Sequence, residues 1–210
     1  VLLIAFVFIF QLTVSQEIEF GDISKEELSE EFYPQDSSAN AAVLYKKQST
    51  YFNSNTTTTS LVTEVHQRIK IYNKDGFDYA TVTIDLFNGR SDKERVGKIK
   101  AYTYNLEGDK IAETELDKHQ IFETEVSYNY NQIKFTMPNI KEGSVFEFKY
   151  SISSPFIWNI DEFQFQYDIP VKKVEAEIRT PHGFRFNQTN KGYISFYPNR
   201  SSQMDHRVGM

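Results

Sequence analysis

An all-β fold, an antiparallel two-sheet β-sandwich with a short N-terminal helix after a leader, is what this sequence predicts, on three observations. The first is period-two alternation. In Ser144–Ser153, Phe146, Phe148, Tyr150 and Ile152 fall on one face and Glu147, Lys149 and Ser151 on the other, as a half-buried antiparallel strand requires. The second is punctuation: turn residues such as Glu107-Gly108-Asp109 and Lys141-Glu142-Gly143 separate one alternating run from the next, the spacing expected of a sandwich. The third is what the pattern lacks. No long amphipathic helical period follows Phe32, so βαβ units are not expected.

The elements follow in order. Val1–Phe10 is an apolar run broken at Gln11, shorter than the ~20 apolar residues a spanning helix needs. With Thr13 and Ser15 as small residues ahead of Gln16, residues 1–15 read as a signal peptide cleaved before Gln16. The run has no positive segment ahead of it, and a chain truncated at the front is expected. Ser24-Lys25-Glu26-Glu27 places an N-cap serine three residues before a glutamate, a capping box that opens a helix through about Phe32. Ala41–Tyr45 is a first short strand, and Asn53–Ser60, NSNTTTTS, a low-complexity mobile loop.

The sandwich body is placed at residues 61–197, after an N-terminal region at 16–60. Its strands are Val65–Tyr72, Tyr79–Phe87, Ile99–Leu106, Lys110–Leu116, Gln120–Val126, Gln132–Met137, Ser144–Ser153, Phe163–Ile169 and Val174–Thr180. Gly76 is expected to give the turn after Tyr72 a positive φ. Val82, Ile84 and Leu86 should meet Phe146, Phe148 and Tyr150 in one core. Phe184–Tyr197 reads as a hairpin around Asn190-Lys191-Gly192, and residues 198–210 as a truncated tail leading to a further domain.

Composition bounds the function. Hydrophobic residues are 40% and aromatics 15%, with 18 Phe and 13 Tyr, ample for a core rich in strand formers. A net charge of -6 and a pI near 5.3 exclude a nucleic-acid partner, which needs a basic face. Without cysteine there is no disulfide, thiolate metal site or cysteine nucleophile. Export without disulfides suits a bacterial periplasm or envelope, with no integral membrane segment once the leader is cleaved.

Candidate chemistry is sparse. The four histidines, His66, His119, His182 and His206, are scattered and match no paired metal-ligand spacing. His66, on an alternating strand, is expected to face solvent. Asp161-Glu162 is a carboxylate pair, but a glycosidase needs two facing carboxylates, one of raised pKa, and acidic loop residues are ordinarily just solvated. No phosphate loop, GxSxG elbow or EF-hand pattern occurs. No cofactor and no catalytic residue is therefore expected. The notable loop is Pro155–Ile160, where Phe156, Ile157 and Trp158 form a possible interaction surface for sugar, peptide or a neighbouring domain. The expected role is the plainer one, in which the loop folds back to plug the open end of the sandwich.

Several segments, in order, resemble the bacterial domain of unknown function 3857. They are Phe20–Leu28, Asp36–Tyr45, Arg68–Tyr72 with Gly76, Ile99–Gly108, Lys134–Ser144, the Glu147, Tyr150 pair, and Phe163–Val171. The resemblance implies an exported β-sandwich that lies ahead of a transglutaminase-like, papain-fold domain and has no established catalytic residues of its own. The function expected is thus a non-catalytic accessory or interaction domain of a transglutaminase- or protease-like envelope protein, whose partner is that C-terminal domain. A carbohydrate-binding module using the exposed aromatic loop is the alternative.

Overall fold

A computed structural model describes residues 18–187 and 189–192. The expected leader, the tail at 198–210, His206 and most of the second half of the Phe184–Tyr197 hairpin lie outside the described residues.

The helix α1 spans Lys25–Ser29 and opens on the predicted capping box. Ser24 Oγ accepts from the Glu27 amide at 3.1 Å, and Glu27 Oε2 accepts from the Ser24 amide at 3.1 Å. It stops earlier than Phe32, with Glu30 already extended at the C-cap.

Two long strands follow, β1 (Ala41–Ser54) and β2 (Thr59–Ile71), paired antiparallel along their length. The short strand expected at Ala41–Tyr45 therefore runs on to Ser54, and the polar stretch expected as a mobile loop is a hairpin tip. Asn55 Oδ1 accepts from the amides of Thr57 and Thr58 at 2.9 and 2.8 Å, an Asx turn that closes the hairpin. Threonine's branched Cβ suits the strands on either side. The expected boundary between residues 60 and 61 falls inside β2.

After β2 the chain forms a 3-10 turn, Lys74–Ala80, rather than a glycine turn. Gly76 has no positive φ. It is glycine for space, since a Cβ there would lie 2.3 Å from the Asn40 carbonyl oxygen at the entry to β1. The remaining strands are β3 (Thr81–Phe87), β4 (Arg95–Val96), β5 (Lys100–Glu107), β6 (Lys110–Glu115), β7 (Phe122–Ser127), β8 (Tyr130–Thr136), β9 (Val145–Ser154) and β10 (Val174–Arg179).

They make two sheets. The larger has the order β10-β1-β2-β9-β5-β6, with β4 also on β9, and the smaller is β3-β8-β7. Every strand pair is antiparallel except β1 with β10, which is parallel. The core lies between the sheets. Val82, Ile84, Leu86, Ile133 and Phe135 of the smaller sheet pack on Ile69, Ala101, Phe146 and Phe148 of the larger, and the Phe135 and Phe148 rings meet edge to face at 6.1 Å. Tyr150 packs against the same cluster, so the two predicted faces do meet.

Phe163–Ile169 is not a strand, contrary to expectation. Its alternation is nevertheless real, with Phe163, Phe165, Tyr167 and Ile169 partly or fully buried while Gln164, Gln166 and Asp168 are exposed. Tyr167 OH accepts from Lys46 Nζ, and Tyr167 and Ile169 join the main core. A period of two reports which side is buried, not whether the backbone is paired.

The outer face of the larger sheet is covered in part as well. Ile23 and Leu28 pack over Leu44, Tyr104 and Val145 in a second, smaller cluster.

Candidate functional site

The aromatic loop of the sequence analysis leaves β9 at Ser154. Bonds from the Ile157 amide to the Pro155 carbonyl (3.1 Å) and from the Asn159 amide to the Phe156 carbonyl (3.3 Å) fold it tightly. The turn splits the three candidates. Phe156 is half-buried and meets Phe87 edge to face at 5.1 Å, and Ile157 is half-buried as well. Trp158 is thrown outward and is 76% exposed, so the tryptophan takes no part in the expected plug. Phe87 also meets Tyr130 edge to face at 5.5 Å, which ties the loop to the β7–β8 hairpin. There Tyr128 and Tyr130 are exposed, at 64% and 47%. Loop and hairpin form one aromatic end of the sandwich.

Asp161 and Glu162 follow this loop. Partial desolvation, and secondarily the Glu94 charge, raise the Asp161 carboxyl above its ordinary range. Glu162 is exposed and paired with Lys191 Nζ at 3.1 Å. The pair therefore splits between two environments and does not face across a cleft.

The polar cluster that sequence reasoning missed lies under the N-terminal segment. Glu147 of β9 is fully buried. Its Oε1 accepts from Arg68 Nε at 3.1 Å and Arg68 Nη2 at 2.9 Å and is bonded to His66 Nε2 at 2.6 Å, while Oε2 accepts from the Gly21 amide at 2.7 Å. Arg68 Nη1 reaches both oxygens of Glu27 in α1, at 3.0 and 3.1 Å, and Nη2 also donates to the Glu19 carbonyl at 3.0 Å. Glu27 thus caps the helix and receives the guanidinium at once. Lys70, two residues along the same face, donates to the Leu28 and Gly143 carbonyls at 2.6 and 2.8 Å. Burial holds its ammonium down to about 8.

His66, expected to face solvent, is instead partly covered between Glu147, Phe20 and Tyr45. The reason is geometric. Arg68 and Glu147 are direct cross-strand partners, and strand periodicity places His66 and Lys70 beside Arg68 on one face. Chemically the cluster is saturated: each Glu147 oxygen already has partners, and the groups it holds are main chain and helix. It works as a clasp that straps residues 19–28 onto the sheet. The sequence does place ionisable residues at 66, 68 and 70 on one strand face, but such a face reads as solvated until the segment that covers it is known.

His119 lies in an exposed 3-10 turn, and His182 is exposed. Among the described residues no group of three or more His, Asp or Glu is placed to hold a metal ion.

Residues 57–208 match the family model described as "Domain of Unknown Function with solved-structure structure (DUF3857)". The chain belongs to the DUF3857 family. No curated protein matches it by sequence. Among solved structures, this DUF3857 chain overlays on a "putative protease" from Parabacteroides distasonis with a TM-score of 0.57 at 14% identity, over 69% of this chain and 29% of that one. That likeness is one of fold, and the chain spans under a third of the other protein's length. Two weaker overlays are with Legionella pneumophila aminopeptidase A (TM-score 0.26, 10% identity, 56% of this chain and 11% of that one) and a two-domain M1 zinc metallopeptidase (0.29, 10%, 66% and 26%). Both overlaps are too low to bear on the DUF3857 fold.

Proposed function

We propose that this DUF3857 chain is a non-catalytic, exported accessory domain that docks on a transglutaminase- or protease-like domain of a larger envelope protein. The observation that carries the reading is the 76% exposure of Trp158 at an aromatic end of the sandwich. A large ring left in water, at an end of the sandwich that also exposes Tyr128 and Tyr130, is the composition of an interface anchor. The chemistry elsewhere agrees, because the densest set of ionisable groups is consumed in strapping the N-terminal segment to the sheet. The fold's occurrence as 29% of a chain described as a putative protease supports a modular arrangement.

Trp158, the single tryptophan, makes the test direct. Its emission is measured in this chain alone and, as the difference between the parent protein and its Trp158→Phe variant, with the following domain attached. Docking shifts the emission to the blue and protects it from acrylamide. Equal quenching in both, or hydrolysis or transamidation of casein by this chain alone, overturns the reading.

The same exposure favours one second reading, a carbohydrate-binding module in which a sugar ring lies flat on Trp158. Saturable quenching of the emission by a defined cell-wall oligosaccharide, lost in Trp158→Ala, would replace the docking reading with this one.

A further inference from the structure

The N-terminal strap leaves part of the outer sheet face open, and a row of basic side chains crosses it. Lys47 of β1 is the direct cross-strand partner of His66 in β2, His66 of Lys149 in β9, and Lys149 of Lys100 in β5. With strands about 4.8 Å apart, four basic residues stand in register over roughly 14 Å, in a chain whose net charge is -6. Like charges placed directly opposite destabilise a sheet. Departures from local consistency of this kind belong at functional sites.

Lys47 is engaged, its charge acting on Glu175 at the β10 edge, but the middle and far end of the row are not neutralised from within. Glu147 reaches it only at His66. Lys149 Nζ lies 4.5 Å from the Phe20 ring centroid. Neither Lys149, Lys100 nor the neighbouring Lys98 has an ion-pair partner among the described residues. These lysines line a groove of about 400 Å³, within the size range of ligand sites. The next row along the strands is Ser49, Glu64 and Ser151. Glu64 is held by Tyr51 OH at 2.9 Å, and Glu177 by Arg179 Nε at 3.5 Å. Both carboxylates are thus turned to partners other than the lysine row, and leave hydrogen-bond acceptors beside it.

We propose that this groove binds an extended acidic peptide segment of a partner protein. Its carboxylates lie along Lys149, Lys100 and Lys98, and its main-chain N–H groups face the acceptors of the Ser49–Glu64–Ser151 row. Lysine suits this ligand, being a mobile point charge rather than a rigid fork. Phosphate recognition would call for free guanidinium forks, whereas the groove's arginine is engaged with Glu177 and the Tyr51 ring. A sugar would want an exposed ring to lie on, and Trp158 is not among the lining residues. The proposal concerns a surface other than the aromatic end and goes beyond the docking reading.

The test is fluorescence polarisation of a labelled hexaglutamate peptide titrated with the full chain at low salt. Saturable binding that weakens as salt is added, and falls at least ten-fold in both Lys100→Gln and Lys100→Glu/Lys149→Glu, is the expected result. Lys110→Glu/Lys118→Glu makes the same change in net charge away from the groove, and should bind as the unaltered chain does. The exposed Lys100→Gln keeps the test valid should the double variant fail to fold. No saturable binding by the folded chain, or an equal loss in the Lys110/Lys118 control, overturns the proposal. So does displacement of the label by inorganic phosphate or an oligouronide but not by unlabelled peptide.

Discussion

Arg68 places two of its guanidinium nitrogens, Nε and Nη2, on a single oxygen of the fully buried Glu147, at 3.1 and 2.9 Å. Breaking such a pair leaves a buried charge without compensation, which costs about 3–5 kcal/mol. Arg68→Ala should therefore destabilise the fold by about that amount in urea denaturation. It should also raise hydrogen exchange in residues 19–28, because the Glu27 and Glu19 contacts are lost with the same side chain. A variant as stable as the parent, with an unchanged strap, would show that the clasp is ornamental.

Lys70 gives the protein an alkaline signature. Its pKa is near 8 when folded and ~10.4 when unfolded, so between these values the unfolded chain holds more protons. Stability contributed by this group rises with pH across that window. Lys46, also lowered by burial, adds in the same direction. Tyr150 and Tyr167 are pushed up to about 12 by burial; the unfolded tyrosines ionise first, and stability falls above pH ~10. Melting curves from pH 7 to 11 should rise and then turn over. In Lys70→Met the rise should shrink and the fall remain.

Trp158→Ala should change stability by no more than ~0.5 kcal/mol, the range of surface substitutions, and the parent's emission should be that of a solvated indole. A loss of several kcal/mol would mean that the ring is packed.

Gly76→Ala should be destabilising out of proportion to one methyl group. The added Cβ would sit 2.3 Å from the Asn40 carbonyl oxygen, which accepts from the Tyr72 amide at 2.9 Å, and backbone on both sides has little room to yield. Thermal melts of Gly76→Ala beside Gly108→Ala separate the two kinds of glycine. At Gly108 the space is open and only the φ of 61° is strained.

The sequence showed the parts of this fold whose cause is local. The Ser24–Glu27 capping box needs only two side chains three residues apart, and the Val82–Leu86 alternation needs only one buried face. What it hid depends on what covers each face. The outer side of β9 reads as solvated because Glu147 and Lys149 are charged, yet Glu147 lies beneath a segment more than a hundred residues earlier in the chain. The polar stretch from Lys46 to Phe52 shows no strand signal of its own, because its partners are β10 and the Phe163–Ile169 segment, which arrive late in the sequence. Trp158 could be placed in a loop, but the side it took was decided by Phe156 finding Phe87.

The parallel pairing of β10 on β1 sets the order in which the chain can assemble. Lys46 meets Val174, so this edge closes only after nearly the whole sandwich has left the ribosome. Until then β1, a 14-residue strand, offers an unpaired backbone edge to any neighbouring nascent chain. Closure across so great a sequence separation is slow compared with hairpin formation. Synthesis that stalls before Val174 would release a species with its two longest strands already paired to each other and one of them still adhesive. Such a species is a substrate for a holding chaperone.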